Sequence, residues 1–484
     1  MIFNLRRFFK NVSYLFTANI ISSLILFFQG VLLIRYLGSE QYGVWSISRS
    51  LPAMFYVITD LGLNSLILRE IAFQPNRERI NRFFTNGIIL KGFLSLLFFL
   101  VLGIFLLIFK YPASVSVLIL LAAITFVATT FNEIIVVIFK AQEIFKWQAF
   151  HIFLRTCGVF VVVLCNILLN SGLFIIWTSI SIFHIGLLIG FIVAARNYVQ
   201  FDFHTILALS ELWRLVQRAF PFALIGIMSG FFLEIDIVML SKLANFSDVG
   251  IFNAANRLIS ALIMFPLYFG HVLFPSFSYY FKNKPDEFTR LVLRFEKYVI
   301  ILIFPLCAIL YKLADQIVLF LFGRGYINSI IPLKILSLSF LFNFFSVVFI
   351  QSLNASESEK RVALLFSGAV GLKLVLNFFL VPRYTYIGAS ISAVSGEFFR
   401  FIGAFSFFAI HLKYRIKFES ISTYSLVLLP LIFFLYPWPR NYSFFVLLVA
   451  LMLYVWLLFK KQLLSKQELL SIWRRMANRH GKMG

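Results

Sequence analysis

The chain has 484 residues, 61% of them hydrophobic and only 13% charged, with a mean hydropathy of +0.93. That balance excludes a soluble globular domain, in which charged residues make up about a quarter of the chain. The formal net charge of +23 raises nucleic acid as a partner, but the basic residues are spread over many short connections and are not gathered on one face, which excludes a nucleic-acid reader.

Taken in chain order, fourteen apolar stretches reach transmembrane length, about 17–25 residues. They centre near Ile25, Met54, Leu97, Thr125, Val162, Phe183, Gly230, Pro266, Phe304, Phe342, Val370, Val394, Leu429 and Ala450. The connections between them alternate in charge. The N-terminus, every second connection and the tail from Lys460 hold 29 Lys and Arg, whereas the opposite set holds seven: Arg35, Lys110, Lys242, Arg324, Lys334, Arg383 and Arg440. The positive-inside rule then places both termini in the cytoplasm. The first apolar stretch runs past signal-peptide length without a small-x-small cleavage site, so a retained helix is expected. The basic tail reads as an orientation signal, with contact to anionic lipid headgroups as the alternative.

The longest polar interval of the first half, Arg196 to Arg218, includes Asp202, His204, Glu211 and Trp213 and reads as a short interfacial helix joining two halves. The expected organisation is therefore residues 1–195 as one six-helix bundle, 196–218 as a cytoplasmic linker, 219–412 as a second six-helix bundle, and 413–484 as two further helices with the tail. No connection is long enough for an extramembrane domain, which argues against an enzyme. Cys157, Cys165 and Cys307 all fall in apolar stretches. The first two lie about 12 Å apart along one helix, too far for a disulfide, and no metal-binding spacing is present.

The two halves resemble each other. LGSEQYGVWSISRSL (Leu37–Leu51) and LANFSDVGIFNAANRLI (Leu243–Ile259) come into register when Gly43 is set against Gly250. Val44 then meets Ile251 and Trp45 meets Phe252, with Arg49 and Arg257 six and seven residues beyond their glycines. Six stretches separate the copies, which makes this a parallel repeat with substrate expected between the halves. Pro52, Pro221, Pro266, Pro275 and Pro305 lie in or beside the stretches, where they bend helices and free backbone groups.

These motifs, together with DLGLNSLILREIA (Asp60–Ala72), the stretch from Pro221 to Leu258 that contains EIDIVMLSKL, and LNFFLVPRYTYIGASISAVSGE (Leu376–Glu397), occur in the order seen in bacterial polysaccharide flippases. Over essentially its full length the chain resembles these O-antigen and exopolysaccharide translocases of the multidrug/oligosaccharidyl-lipid/polysaccharide superfamily. The resemblance implies an all-α polytopic fold of two six-helix bundles around a central cavity, plus two C-terminal helices. It implies transport of an undecaprenyl-diphosphate-linked oligosaccharide to the outer leaflet of the inner membrane, by alternating access. The implied partners are that lipid-linked glycan, membrane lipids, and a polymerase and other polysaccharide assembly proteins. No cofactor is expected; coupling to H⁺, Na⁺ or the membrane potential stays open.

Seven basic residues lie within or at the edge of apolar stretches: Arg49, Lys91, Arg155, Arg257, Lys312, Lys373 and Arg400. A charge at the bilayer centre costs from about 3 to above 10 kcal/mol unless it meets water or a partner, so such residues are candidates for function. An arginine fork grips a phosphate through two hydrogen bonds. Arg49 and Arg257 lead because they occupy repeat-related positions and, by the resemblance, those of cavity arginines; Arg155, Lys373 and Arg400 are further pyrophosphate candidates. Lys91 and Lys312 are close enough to span ends to snorkel. Lys373 is one turn from Asn377, and Arg400 three residues from Glu397, so each has a bland local partner.

Among the acids, Asp236, Glu234 and Glu397 are candidates for ion coupling or charge pairing. Glu234 and Asp236 project roughly 200° apart on a helix, so one faces inward; Asp236 either binds an ion or neutralises Arg257. Asp60, Arg69 and Glu70 are expected in gate or packing salt bridges, and His184 reads as a structural histidine. A lipid II flippase and an ion-coupled multidrug exporter of the same superfamily are the alternative functions. An exporter of cationic drugs calls for an acidic cavity, which the basic excess opposes.

Overall fold

The computed structural model describes residues 5–73, 76–142, 144–196, 198–202, 206–411 and 443–460. Among these residues every regular element is helical. In order the α-helices are α1 (Leu5–Phe55), α2 (Leu63–Phe73), α3 (Arg77–Ile108), α4 (Ala113–Ala141), α5 (Phe145–Leu168), α6 (Leu173–Ala195), α7 (Leu209–Leu243), α8 (Phe246–Asn283), α9 (Pro285–Lys312), α10 (Ala314–Leu321), α11 (Ile330–Ala355), α12 (Glu359–His411) and α13 (Ser443–Lys460). The all-α polytopic class expected from hydropathy is the class observed. Seven described helices are long and apolar enough to cross a membrane, or eight when α9 and α10, bent by 68°, are taken as one span.

Two of the long helices each carry two of the expected apolar stretches. α1 holds those centred near Ile25 and Met54, broken only at Gly38 (φ 68°, ψ 174°). α12 holds those near Val370 and Val394, broken at Thr385 (φ 45°, ψ −123°). The polar run LGSEQYG therefore does not form a loop: one residue in the left-handed region turns the chain, and helix resumes at once. As a result Arg49 lies well inside a helix. The stretch near Leu429, His204 and the tail beyond Lys460 lie outside the described residues.

The chain divides into two compact units. One comprises residues 1–264, 318–332 and 363–396; the other comprises residues 265–317, 333–362 and 397–484. In the first unit α1 packs on α4, α5 and α7, and α4 packs on α6. One apolar cluster surrounds the short α2, whose Leu63, Leu66, Ile67 and Ile71 are buried against Phe84 and Leu94 of α3, Ile134 and Ile138 of α4, and Leu187 and Phe191 of α6. A stacked pair, Trp45 and Trp177, with ring centroids 4.2 Å apart, fastens α1 to α6.

Also in that unit, α1 crosses the start of α8 at the repeat-related glycines. A Cβ on Gly43 would land on the Phe246 carbonyl, and one on Gly250 would land on the Ser39 carbonyl, each residue four before the opposing glycine. This reciprocal contact is an internal two-fold relation, and it requires glycine on both sides because backbone meets backbone. The Ser39 and Ser247 hydroxyls hydrogen-bond across the crossing at 2.9 Å.

Candidate functional site

From that crossing a polar seam runs along α1 and α8. Tyr42, Ser46 and Arg49 recur at helical spacing on one face of α1, and Asn253 and Arg257 do so on α8. The Asn253 side-chain amide donates to Ser46 Oγ at 2.6 Å. Beyond it, Arg49 and Arg257 lie within electrostatic reach of each other and of the buried Tyr42. Arg257 donates through Nη2 to the Leu26 carbonyl, its Nε lying over Gly30, where a side chain would displace it. Among the described residues no carboxylate pairs with either arginine.

The other basic candidates stand differently. Lys373, on α12 before its break, reaches Asp236 Oδ2 of α7 at 2.6 Å, and both side chains are at most 5% exposed. The local bond expected from Lys373 to Asn377 is replaced: Asn377 Nδ2 donates to Asp236 Oδ1 at 2.7 Å. The reading of Asp236 as the neutralising partner of Arg257 is likewise corrected, since Lys373 holds it. Ser392 Oγ, after the break, lies 3.4 Å from Asp236 Oδ1. Glu234 is half-buried and has no ion pair among the described residues. In the second unit Arg400 Nη1 donates to Glu397 Oε2 at 2.9 Å, and Asn343 Nδ2 donates to Glu397 Oε1 at 3.1 Å, so this pair is neutralised in place.

Lys91 does not snorkel. It is fully buried and donates to Asp60 Oδ1 at 2.8 Å, the Thr130 carbonyl at 3.0 Å and Thr130 Oγ1 at 3.1 Å. Asp60 sits where the chain breaks between α1 and α2, at the left-handed residues Leu61 and Gly62. It accepts from the Asn64 amide at 3.2 Å and so caps α2. Asn64 Nδ2 in turn donates to Glu133 Oε2 at 3.0 Å, and Arg155 lies in electrostatic reach of Glu133. Glu70 is a hub for three arginines: Arg69 at 3.7 Å, Arg79 at 2.7 Å and Arg218 at 2.5 Å. His184 bonds through Nδ1 to the Ile180 carbonyl one turn back, 2.9 Å away.

Several members of these clusters escaped the reading of the sequence. Glu133 is an acid inside an apolar stretch and carried the same signal that singled out Asp236. Tyr42, Ser392 and Asn343 gave no signal, because hydroxyls and amides in apolar helices satisfy their own backbone too often to stand out.

A family model described as "Polysaccharide biosynthesis protein" matches residues 8–281. The chain belongs to that family. A relative named as a candidate O-antigen transporter, from Shigella flexneri, is 26% identical over 170 residues, which is 34% of this chain and 40% of that relative. The chain thus spans about two-fifths of the length of that curated relative. Its fold is similar to that of a lipid II flippase, MurJ, in an inward closed conformation, with a TM-score of 0.75 and 15% identity over 91% of this chain and 97% of the other. A multidrug resistance transporter of the MATE family and MOP superfamily, in an inward-facing conformation, follows with a TM-score of 0.64 and 15% identity over 81% and 94% of the two chains. The chain is therefore a multi-pass, all-helical member of the polysaccharide biosynthesis family whose fold is similar to those of MurJ and the MATE protein.

Proposed function

We propose that this protein is a flippase that carries an undecaprenyl-diphosphate-linked oligosaccharide repeat unit from the cytoplasmic to the outer leaflet of the inner membrane, for O-antigen, capsule or exopolysaccharide. Two helical halves around a central cavity, with both termini in the cytoplasm, are the arrangement this reading requires. The observation that carries it is the contrast among the intramembrane cations. Lys91, Lys373 and Arg400 each hold a carboxylate, while Arg49 and Arg257 lie within electrostatic reach of each other and, among the described residues, pair with none. Two guanidinium groups within electrostatic reach of each other, neither held by a carboxylate among the described residues, suit a diphosphate, whose two anionic groups match two forks.

In this reading Arg49 and Arg257 hold the diphosphate while the polyprenyl tail remains in lipid, and the polar seam from Tyr42 to Asn253 meets the first sugars. Arg155, within electrostatic reach of Glu133, assists the two arginines. An inside-negative membrane potential favours outward movement of an anion by about 2.3 kcal/mol per charge per 100 mV. A lipid II flippase would use the same diphosphate chemistry, and the glycan attached to the accumulated lipid separates the two. An exporter of cationic drugs fits less well, because the unneutralised pair is cationic.

The test is mass spectrometry of undecaprenyl-diphosphate oligosaccharide on the cytoplasmic side of a deletion strain. The intermediate should accumulate and be cleared by the wild-type gene. Arg49→Ala together with Arg257→Ala should fail to clear it at unchanged protein level. Clearance by that double variant would overturn the clamp, and absence of accumulation in the deletion strain would overturn the flippase reading.

A further inference from the structure

The ammonium of Lys373 occupies a cation site built from protein oxygens. It contacts Asp236 Oδ2 at 2.6 Å, donates to the main-chain carbonyl of Phe232, and lies 4.3 Å from the centroid of the Phe232 ring. The other carboxylate oxygen accepts from Asn377 Nδ2, and Ser392 Oγ lies 3.4 Å from it while donating to the Lys373 carbonyl at 3.2 Å. Asn377 is fully buried, and its own carbonyl oxygen, Oδ1, has no hydrogen-bond partner. The carboxylate and the main-chain carbonyl at the ammonium are oxygen ligands of the type that bind hard cations. Both come from α7, and the groups around the other carboxylate oxygen come from α12 on both sides of its break at Thr385. The lysine stem reaches this place through the gap beside Gly396, where a Cβ would lie 2.7 Å from Lys373 Cδ and 2.8 Å from Cγ.

We infer that Lys373 is a tethered counter-cation: it fills a monovalent-cation site at Asp236 that would otherwise take up an ion from solution, so this site operates without bound Na⁺ or K⁺. The physical reason is charge. Asp236 is 4% exposed, and a carboxylate this deep requires a positive partner. The chain supplies one covalently, and no free ion has to be captured. The break at Thr385 sits between Lys373 and Ser392, so any rearrangement of the two halves of α12 changes this cage while its charge stays with the protein. The inference does not depend on which cargo the protein carries.

The experiment uses the purified full-length protein in nanodiscs and reads thermal unfolding in NaCl, KCl, methylammonium chloride and choline chloride at constant ionic strength. Wild type should unfold at one temperature in all four. Lys373→Ala should be less stable in choline and recover by several degrees in at least one of the three small cations, with saturable dependence on its concentration. Asp236→Asn combined with Lys373→Ala should show no such recovery. If Lys373→Ala does not survive purification, Lys373→Met, which keeps most of the stem's volume, gives the same readout. Wild-type protein stabilised by Na⁺ or K⁺ through Asp236, or lysine variants indifferent to all three cations, would overturn the inference.

Discussion

Gly43 and Gly250 face each other across the α1–α8 crossing, each filling the space against a carbonyl of the other's helix. Replacing either by alanine puts a methyl group onto backbone, which has no rotamer to escape into. The helices must separate, and overpacking of this kind costs about 1–3 kcal/mol. With the native cysteines replaced, Ser39→Cys and Ser247→Cys should form a cross-link, since their hydroxyls are 2.9 Å apart. Gly43→Ala or Gly250→Ala should lower the thermal midpoint and suppress that cross-link together. Efficient cross-linking in the alanine variants would show that the crossing tolerates the extra carbon.

The Lys91 cluster makes a second prediction. One fully buried ammonium serves Asp60 directly, and Glu133 joins the same network through Asn64. Removing one partner of a buried pair leaves an uncompensated charge, at about 3–5 kcal/mol. Lys91→Met should therefore be strongly destabilising, and Asp60→Asn added to it should restore part of the loss. Unfolding midpoints of the four proteins in the cycle measure the coupling, and simple additivity would mean that the pair does not act as a unit.

Arg400 should behave unlike Arg49. Its guanidinium, 8% exposed, is bound to Glu397, which Asn343 also holds. Arg400→Gln is expected to lower the amount of folded protein, with transport per folded molecule retained. Arg49→Gln should do the reverse. Quantified membrane levels set against clearance of the lipid-linked intermediate separate the two; a transport defect in Arg400→Gln at normal level would return it to the diphosphate site.

These contrasts show what was legible in the residues alone. The helical class, the multi-pass arrangement and the Gly43–Gly250 repeat follow from hydropathy and from a fifteen-residue match, because apolar length and backbone approach are local properties. The Glu397–Arg400 pair was readable as a helical neighbour pair three residues apart. The Lys373–Asp236 and Lys91–Asp60 pairs were not: their members are 137 and 31 residues apart in sequence, and only the fold decides which helix faces which. Local neighbours such as Asn377 stood in for the true partners for that reason. The helical continuity through LGSEQYG escaped for a different reason, since polar residues flanking one left-handed glycine look the same as a loop.

Glu70 gives a weaker prediction. Its arginine partners Arg69 and Arg218 are 58% and 53% exposed, and pairs this open to solvent are screened, contributing about 0–1 kcal/mol each. Glu70→Gln should change stability little in 0.5 M salt and somewhat more in dilute buffer. A large loss that persists in high salt would mean that the hub holds the α2–α3 connection by something other than charge.

Gly396 tests the lysine cage from the opposite side. A Cβ there would press on the middle of the Lys373 stem and approach Phe232 Cε2 at 3.2 Å, so the stem has a ring on one side and a helix backbone on the other. The tip of a lysine moves freely, but its Cγ and Cδ cannot leave this groove while the ammonium stays on Asp236. Gly396→Ala should therefore loosen the Lys373–Asp236 bond and lower the unfolding midpoint. If the clash is with the stem, the cost should shrink when the stem is removed, making Gly396→Ala combined with Lys373→Ala less damaging than the sum of the two. Residues in contact show such coupling at about 0.5–3 kcal/mol. Strict additivity of the two changes would place the lysine stem elsewhere.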